Sequence, residues 1–381
     1  MKQGWEIKEI GDVCKVTAGQ SPESKFYNKE GNGLPFYQGK KEYGEKYIGE
    51  PTTWTTKITK EAEENDILMS VRAPVGPINF ATQKICIGRG LASIRAGNLI
   101  DKEFLYNFLL KTESEIEGNN GAVFNSINKS QIEGIKISLP PLQEQQQIVA
   151  ILDKTFAAID KAKVNAEQNL KNAKELFESY LQNVFETKGE GWEEKTIGGL
   201  GKPSMCKRIL KEQTSFLGDI PFYKIGTFGK TANAFISKEL YEEYKTKYSF
   251  PKKGDILISA SGISPDSVLY DGKPAFFQDS NIVWIDNDEK LVLNDYLYNF
   301  YGYCDWQPSK GATIARLYNS NLKQIKISFP KSLEEQEKIV KKIDVLSSET
   351  KKLEAIYQQK IEDLEELKKS VLQKAFNGEL K

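Results

Sequence analysis

Two stretches of the chain carry residue types at spacings that ligand binding or catalysis uses. Gly226-Thr227-Phe228-Gly229-Lys230-Thr231 ends like a phosphate-binding loop, but the leading glycine of such a loop falls on Lys224. The counterpart around Gln38-Gly39-Lys40 is no closer, and a glycine-containing turn between strands accounts for both. Pro265-Asp266 followed by Asp271-Gly272-Lys273 resembles two carboxylates that hold magnesium beside a lysine. These two acids are closer along the chain than a strand-to-strand pair normally places them, and the first half of the chain has no equivalent, so a turn is the expectation here too. The chain contains no histidine, which excludes imidazole bases, Ser-His-Asp and Cys-His arrangements and His-bearing zinc sites. Cys14, Cys86, Cys206 and Cys304 are widely separated, form no C-x-x-C pair, and read as free thiols, mostly in the core. No catalytic residue and no metal site is expected.

The elements that would position any functional residue come in two copies. Trp5-Glu6 and Ile10-Gly11-Asp12 reappear as Trp192-Glu193 and Ile197-Gly198-Gly199. Pro35-Phe36-Tyr37 returns as Pro221-Phe222-Tyr223, and Asp66-Ile67-Leu68-Met69-Ser70 as Asp255-Ile256-Leu257-Ile258-Ser259. Leu105-Tyr106-Asn107-Phe108 has its partner in Leu297-Tyr298-Asn299-Phe300, and Ile135-Lys136-Ile137-Ser138 in Ile325-Lys326-Ile327-Ser328. The offset stays near ~190 residues, so one domain-sized unit is present twice. From residue 5 to about 140, and again from Trp192 to about Pro330, short apolar runs such as Asp66 to Val71 and Lys84 to Ile87 alternate with Gly, Pro, Asn and Thr; these are strands and loops, with a helical stretch near Lys102 to Glu117. Each copy is followed by a segment free of proline and rich in Gln, Glu, Lys, Ala and Leu, Leu142 to about Glu186 and Leu333 to about Phe376, and each of these is one long helix.

A heptad pattern runs along both helices. In the first it uses Ile148, Leu152, Thr155, Ile159, Ala162, Ala166, Asn169, Ala173, Leu176 and Tyr180; in the second, Ile339, Ile343, Leu346, Thr350, Leu353, Tyr357, Lys360, Leu364, Leu367 and Val371. A period of 3.5 calls for a coiled-coil partner, and the nearest candidate is the other helix of the chain. Asn169 and Lys360 interrupt both patterns at one level, as register-fixing residues do. Pro140-Pro141 precedes the first helix, and Ser332-Leu333-Glu334-Glu335 fits a capping box before the second. The expected fold is α+β: two globular mixed α/β domains separated by two long helices in an antiparallel coiled coil, with pseudo-twofold internal symmetry. The boundaries are 1–141, 142–188, 189–332 and 333–381. Each helix would be ~65 Å long. As a ruler it would separate two contacts on a duplex by at most on the order of 20 base pairs, and its duplicated outer faces would offer two equivalent docking surfaces.

Bulk composition adds little. Lys and Arg balance Asp and Glu, so any basic surface must be made locally by folding. No apolar run has the length of a membrane span, and the first residues lack the apolar core of a signal peptide, so a cytoplasmic location without a membrane is expected.

The whole chain resembles the DNA-specificity subunit of type I restriction–modification systems. The resemblance rests on Trp5 to Asp12, Pro35-Phe36-Tyr37 and the Asp-Ile-Leu-x-Ser strands with their repeats. It rests above all on Leu139-Pro140-Pro141-Leu142-Gln143-Glu144-Gln145-Gln146-Gln147-Ile148-Val149, on its echo Phe329-Pro330-Lys331-Ser332-Leu333-Glu334-Glu335-Gln336-Glu337-Lys338-Ile339-Val340, and on the closing Ala375-Phe376-Asn377-Gly378-Glu379-Leu380. Lys331 is an insertion in the second of these, and the first lacks the Ser cap. The resemblance implies two target-recognition domains, each reading one half of a bipartite, asymmetric double-stranded DNA target, and helices that set the gap and bind two copies of an adenine methyltransferase subunit. It implies no cofactor on this chain, with S-adenosylmethionine, ATP and magnesium on the methyltransferase and an ATP-dependent restriction subunit. The chain does not look like the methylating catalyst itself: its Leu139-Pro140-Pro141-Leu142 lacks the acid or amide and the aromatic residue of the Asn/Asp-Pro-Pro-aromatic tetrapeptide, and no donor-binding loop is visible. A protein-binding scaffold with duplicated domains is the alternative, supported by the neutral charge.

Base edges favour Arg, Lys, Asn, Gln and Ser on loops, and phosphates favour Lys, Arg and backbone amides. Gln20, Ser21, Lys40, Lys41, Arg72 and Arg89 in the first copy, and Lys224, Lys230, Ser261, Gln278, Asn281, Lys310 and Arg316 in the second, stand beside Gly or Pro in expected loops and are the candidate DNA contacts. The copies share a frame but differ at these positions, so their half-sites should differ.

Overall fold

The computed structural model describes residues 4–118, 126–187, 189–260, 265–306 and 317–380. It divides into two compact units, Met1–Glu167 with Gln358–Lys381, and Gln168–Tyr357. The divide runs through both long helices, Leu142–Glu186 and Leu333–Phe376, so each unit owns one segment of each helix.

The first unit opens with Glu6–Glu9 paired antiparallel to Lys136–Leu139, Lys8 opposite Ile137. A four-stranded antiparallel sheet follows in the order Cys14–Ala18, Leu91–Ala96, Ile67–Ser70, Ile78–Phe80. A second sheet of short strands is ordered Tyr27–Asn28, Trp54–Thr55, Leu34–Tyr37, Ile85–Ile87, Glu61–Ala62, with Leu34–Tyr37 and Ile85–Ile87 parallel. The second unit repeats this frame. Trp192–Thr196 pairs with Lys326–Pro330. Gly201–Ser204, Ile282–Asn287, Ile256–Ser259 and Ser267–Leu269 form the four-stranded sheet, and Phe235–Ile236, Ile220–Tyr223 and Phe276–Phe277 a three-stranded one with its last pair parallel.

The continuous apolar runs of the central strands follow from burial on both faces. Side chains alternate along a strand, so Ile67 and Met69 enter the core under helix Lys102–Gly118, while Leu68 joins Tyr37, Ile85 and Ile87 on the other side. Ile256 and Ile258 split from Leu257 in the same way.

The repeated motifs prove to be scaffold. Asp66 and Asp255 each fold back onto the turn before their strand, accepting from Glu63 N at 2.9 Å and Lys252 N at 2.7 Å. Asn65 and Gly254 supply the positive φ, 67° and 91°, that these two turns require. At the other end of the strand, Ser70 Oγ donates to the carbonyls of Arg72 and Pro74, and Ser259 Oγ accepts from Asp266 N.

The Gln of each helix-opening motif is fully buried. Gln145 Nε2 donates to the carbonyls of Leu99 (3.0 Å) and Pro140 (2.8 Å), and its Oε1 accepts from Asp101 N (2.8 Å). Gln336 repeats all three bonds, to Leu291 O, Pro330 O and Leu293 N. Each amide therefore ties the first turn of a long helix to the loop ahead of a shorter one, Lys102–Gly118 or Asn294–Tyr303. Ser332 Oγ accepts from Glu335 N at 3.3 Å, the cap its position suggested.

Inside each unit the helix segments run antiparallel. In the first, Ile148 and Leu152 share a core with Leu372, Ala375 and Phe376, and Lys163 Nζ reaches Glu365 at 2.7 Å. In the second, Phe185 shares a core with Val340 and Ile343.

One line of the expected seam stands: Leu152, Ile159, Ala166 and Ala173 are buried, as is Ile343, and Tyr357, Leu364 and Val371 are half-buried. The alternate line needs correction. Leu176 is 72% exposed and Leu353 42% exposed, and Asn169 and Lys360, the level taken to fix register, face solvent. Ile148 is buried and Ile339 and Leu346 are half-buried, but the facing positions in those turns are shared with or taken by Val340, Ser347, Glu354, Ile361 and Lys368. The buried glutamines set this rotation, for Gln145 and Gln336 lie one heptad before Leu152 and Ile343. The stem of Lys368 then fills a seam position, with its ammonium 5.1 Å from the Phe156 ring and 3.0 Å from Asp160 Oδ1. Among the described residues no helix is long and apolar enough to cross a membrane.

Candidate nucleic-acid interface

Four loops of the first unit meet where the strands Cys14–Ala18, Leu34–Tyr37, Ile67–Ser70 and Ile85–Ile87 end. Gly19 N donates to Leu91 O and Gln20 N to Ile87 O. Gly88 N donates to Tyr37 O, Gly90 N to Gln38 O and Val71 N to Gly90 O. Ser21 Oγ accepts from Arg89 N at 3.2 Å, and Thr59 Oγ1 donates to Gln20 O. The approach at Gly88 is so close that a Cβ there would lie 2.9 Å from Gln38 Cα and 3.0 Å from Ser21 Oγ. These bonds consume backbone groups and leave side chains outward: Gln20, Gln38, Lys40, Lys41, Arg72 and Arg89 are all exposed, while Ser21 is half-buried and fixes the loop beside it. The cluster thus presents four cations and two amides on a rigid base, a donor-rich surface of the kind that meets phosphates and guanine or adenine edges.

The second unit builds the same junction. Gln278 N donates to Tyr223 O and Ala260 N to Asn281 O, the counterparts of the bonds at Gly88 and Val71. Here the loops border an open cavity of about 500 Å³ lined by Arg208, Lys211, Lys224, Gln278, Asp279 and Asn281 among others. Arg208 Nε reaches Asp279 Oδ2 at 2.9 Å, Gln278 Oε1 accepts from Ile225 N at 3.1 Å, and Lys224 Nζ stands 5.8 Å from the Phe222 ring. Ser280 takes φ 60°, which turns the chain between Asp279 and Asn281.

Of the candidates named from sequence, Gln20, Ser21, Arg72 and Arg89 come together at the first junction, with Lys40 and Lys41 on the loop that follows Gln38. Lys224, Gln278 and Asn281 come together at the second. Lys230 does not line that cavity; it lines another, of about 360 Å³, with Tyr223, Tyr270, Asp271 and Lys273. Ser261, Lys310 and Arg316 lie outside the described residues. Sequence reasoning missed Gln38, Arg208 and Lys211. Gln38 and Lys224 both follow the repeated Pro-Phe-Tyr, and aligning the copies at that motif would have found the pair.

The two stretches that imitated ligand sites are turns. Ile225–Thr227 is a single 3-10 turn with Gly229 at φ 68°, and no helix long enough to cradle a phosphate follows directly. Asp271 accepts from Lys273 N at 2.9 Å and pairs with Lys273 Nζ at 3.0 Å, both exposed, so its carboxylate serves its own turn. The four cysteines are free; burial pushes the thiols of Cys14, Cys206 and Cys304 up to about 12, away from thiolate chemistry.

Comparison with known proteins agrees with this geometry. A family model described as type I restriction modification DNA specificity domain matches twice, over residues 2–171 and 189–363. A protein of Haemophilus influenzae named as a type I restriction enzyme specificity subunit is 43% identical over 274 residues, covering 70% of each chain. The fold is shared with a chain from a structure concerning complex assembly and conformational transition of the type I R-M system (TM-score 0.80, 19% identity, 100% of this chain and 99% of that one). It is shared also with the HsdS subunit from Thermoanaerobacter tengcongensis (TM-score 0.67, 19% identity, 100% and 98%). Two copies of one frame, each gathering its own set of cations and amides at the same strand ends, are thus two DNA specificity domains, and the chain belongs to the type I restriction–modification specificity family.

Proposed function

We propose that each unit reads one half of a bipartite, asymmetric double-stranded DNA target through its loop junction. In this reading the long helices set the unread gap and dock two copies of an adenine methyltransferase subunit. The observation that carries it is the contrast between frame and loops. The buried Gln of the repeat makes matching hydrogen bonds in both units, and the buried Asp a matching bond to the turn before its strand, while the outward residues differ: Gln38 against Lys224, and Arg89 against an Asp279–Arg208 pair. Such divergence at donor-bearing loops over a shared frame is what two unlike half-sites demand. The chain itself is non-catalytic; methyl donor, ATP and magnesium belong to the methyltransferase and to an ATP-dependent restriction subunit. Candidate contacts are Gln20, Gln38, Lys40, Lys41, Arg72 and Arg89 in one unit, and Arg208, Lys211, Lys224, Gln278 and Asn281 in the other, with Ser21 positioning Arg89.

The test is to co-express the chain with its cognate adenine methyltransferase and map methylated adenines across the genome. The expected result is a split motif, two short unlike halves around a fixed gap. A stable complex that methylates nothing, or DNA binding whose strength is indifferent to salt, would favour a protein-binding scaffold instead.

A further inference from the structure

The two most exposed large apolar side chains among the described residues are neighbours, Phe216 at 90% and Leu217 at 85%. They occupy the turn between the 3-10 helix Lys211–Gln213 and the strand Ile220–Tyr223. That turn is held firmly. Ser215 and Phe235 exchange both backbone hydrogen bonds at 2.9 Å, Thr214 Oγ1 donates to Lys211 O at 2.8 Å, and Ser215 Oγ donates to Leu217 O. Gly218 packs so near Phe235 that a Cβ there would fall 2.8 Å from the Phe235 Cβ. Lys211 and Thr214, immediately before the tip, line the same cavity as Arg208, Lys224, Gln278 and Asn281. The turn at the corresponding place in the first unit reads Lys29-Glu30-Gly31-Asn32-Gly33 and has no apolar side chain.

We propose that Phe216 and Leu217 form a wedge that inserts between adjacent base pairs of the half-site read by the second unit. The proposal rests on the DNA reading given above and adds how that half-site is deformed. When the donors that line this cavity engage a duplex, the apolar tip beside them is carried to the stacked bases, whose faces are apolar within polar edges and take such side chains between steps. Glu212 and Asp219 flank the tip and oppose phosphate there, which directs the contact to the bases. Because the turn is already ordered, little conformational freedom is lost on insertion. The first unit has no such tip, so this chain wedges open one half of the target and not the other.

The test uses the full chain in complex with the methyltransferase and a duplex carrying the mapped target, with 2-aminopurine placed at successive steps of each half in turn. Base extrusion by the methyltransferase raises the fluorescence at the methylated adenine of each half; beyond those two positions the wild-type complex is expected to raise it at one further step of one half, and Phe216→Ser with Leu217→Ser to abolish that further rise and weaken target binding on the order of tenfold. Phe216→Leu alone should retain the rise. Co-purification of the double variant with the methyltransferase reports that it is folded. Target binding by the wild type with no rise beyond the two methylated adenines, or a further rise that survives in the double variant, overturns the wedge and leaves the recognition role intact. Failure of the wild-type complex to bind the duplex at all overturns the recognition role, and the wedge with it.

Discussion

Asp66 and Asp255 stand at one place in the two copies of a strand, yet their surroundings differ. Asp66 accepts from Arg95 Nε at 2.7 Å and Nη2 at 2.9 Å and from Ser93 Oγ at 2.7 Å. In the second unit the neighbouring strand carries Trp284 and Asp286 at the corresponding positions, so Asp255 has a backbone donor and a second acid nearby instead. Burial, with Asp286 and Glu289 adding to it, raises the Asp255 carboxyl above its usual range. The folded state then binds this proton at higher pH than the unfolded chain. Asp255 weakens the fold at neutral pH, and the penalty is relieved as pH falls through its folded value toward the unfolded one. Asp255→Asn is expected to cost less than about 1 kcal/mol at pH 7 and to gain relative to wild type as pH rises from 4 to 7. Asp66→Asn strips Arg95 of its partner and is expected to cost about 2 kcal/mol, below the value for a fully buried pair because the Arg95 side chain is 41% exposed. Urea unfolding at several pH values measures both; equal costs at pH 7 would contradict this account.

At the scale of elements, the long helices are placed by hydrogen bonds before they are placed by apolar contact. Gln336 holds the first turn of the second helix at Pro330 and Leu291, which fixes its rotation and turns Ile343 inward while Leu353 faces out. Ile343→Asn should therefore cost about 3 kcal/mol, the price of a lost core side chain and a buried amide, whereas Leu353→Asn should stay within about 0.5 kcal/mol. Gln336→Ala leaves the Leu293 N–H and two carbonyls without their partner and should cost about 2 kcal/mol. Thermal melts of the three variants decide; equal damage from the changes at 343 and 353 would restore the seam that hydrophobicity alone suggests.

For the whole molecule, duplication means that specificity is divisible. Arg89→Ala should weaken or relax one half of the methylated motif and Arg208→Ala the other, each by about 1–3 kcal/mol if the side chain reads a base, or with a salt slope smaller by about one if it meets a phosphate. The two changes share no partner, so their effects should add. Motif mapping and salt titration of the single and double variants are the measurements, and a single change that relaxed both halves would defeat the modular reading.

The sequence alone determined the repeat, the two long helices and the family, because motif order, helix-forming composition and the twice-present Pro-Leu-x-Glu-Gln pattern are local and survive without coordinates. Strand positions were legible as well, since a strand buried on both faces reads as an apolar run. Tertiary structure alone decided which side of each helix faces inward. A heptad line pointed to Leu176 and Leu353, but a buried amide sets the rotation and the stem of Lys368 fills one of the facing positions, and neither leaves a mark in hydrophobicity. It alone decided, too, which loop residues converge. Gln38 joins Gln20 and Arg89, and Arg208 joins Gln278, because backbone groups far apart in the chain bond to one another, and spacing along a sequence carries no record of such closure.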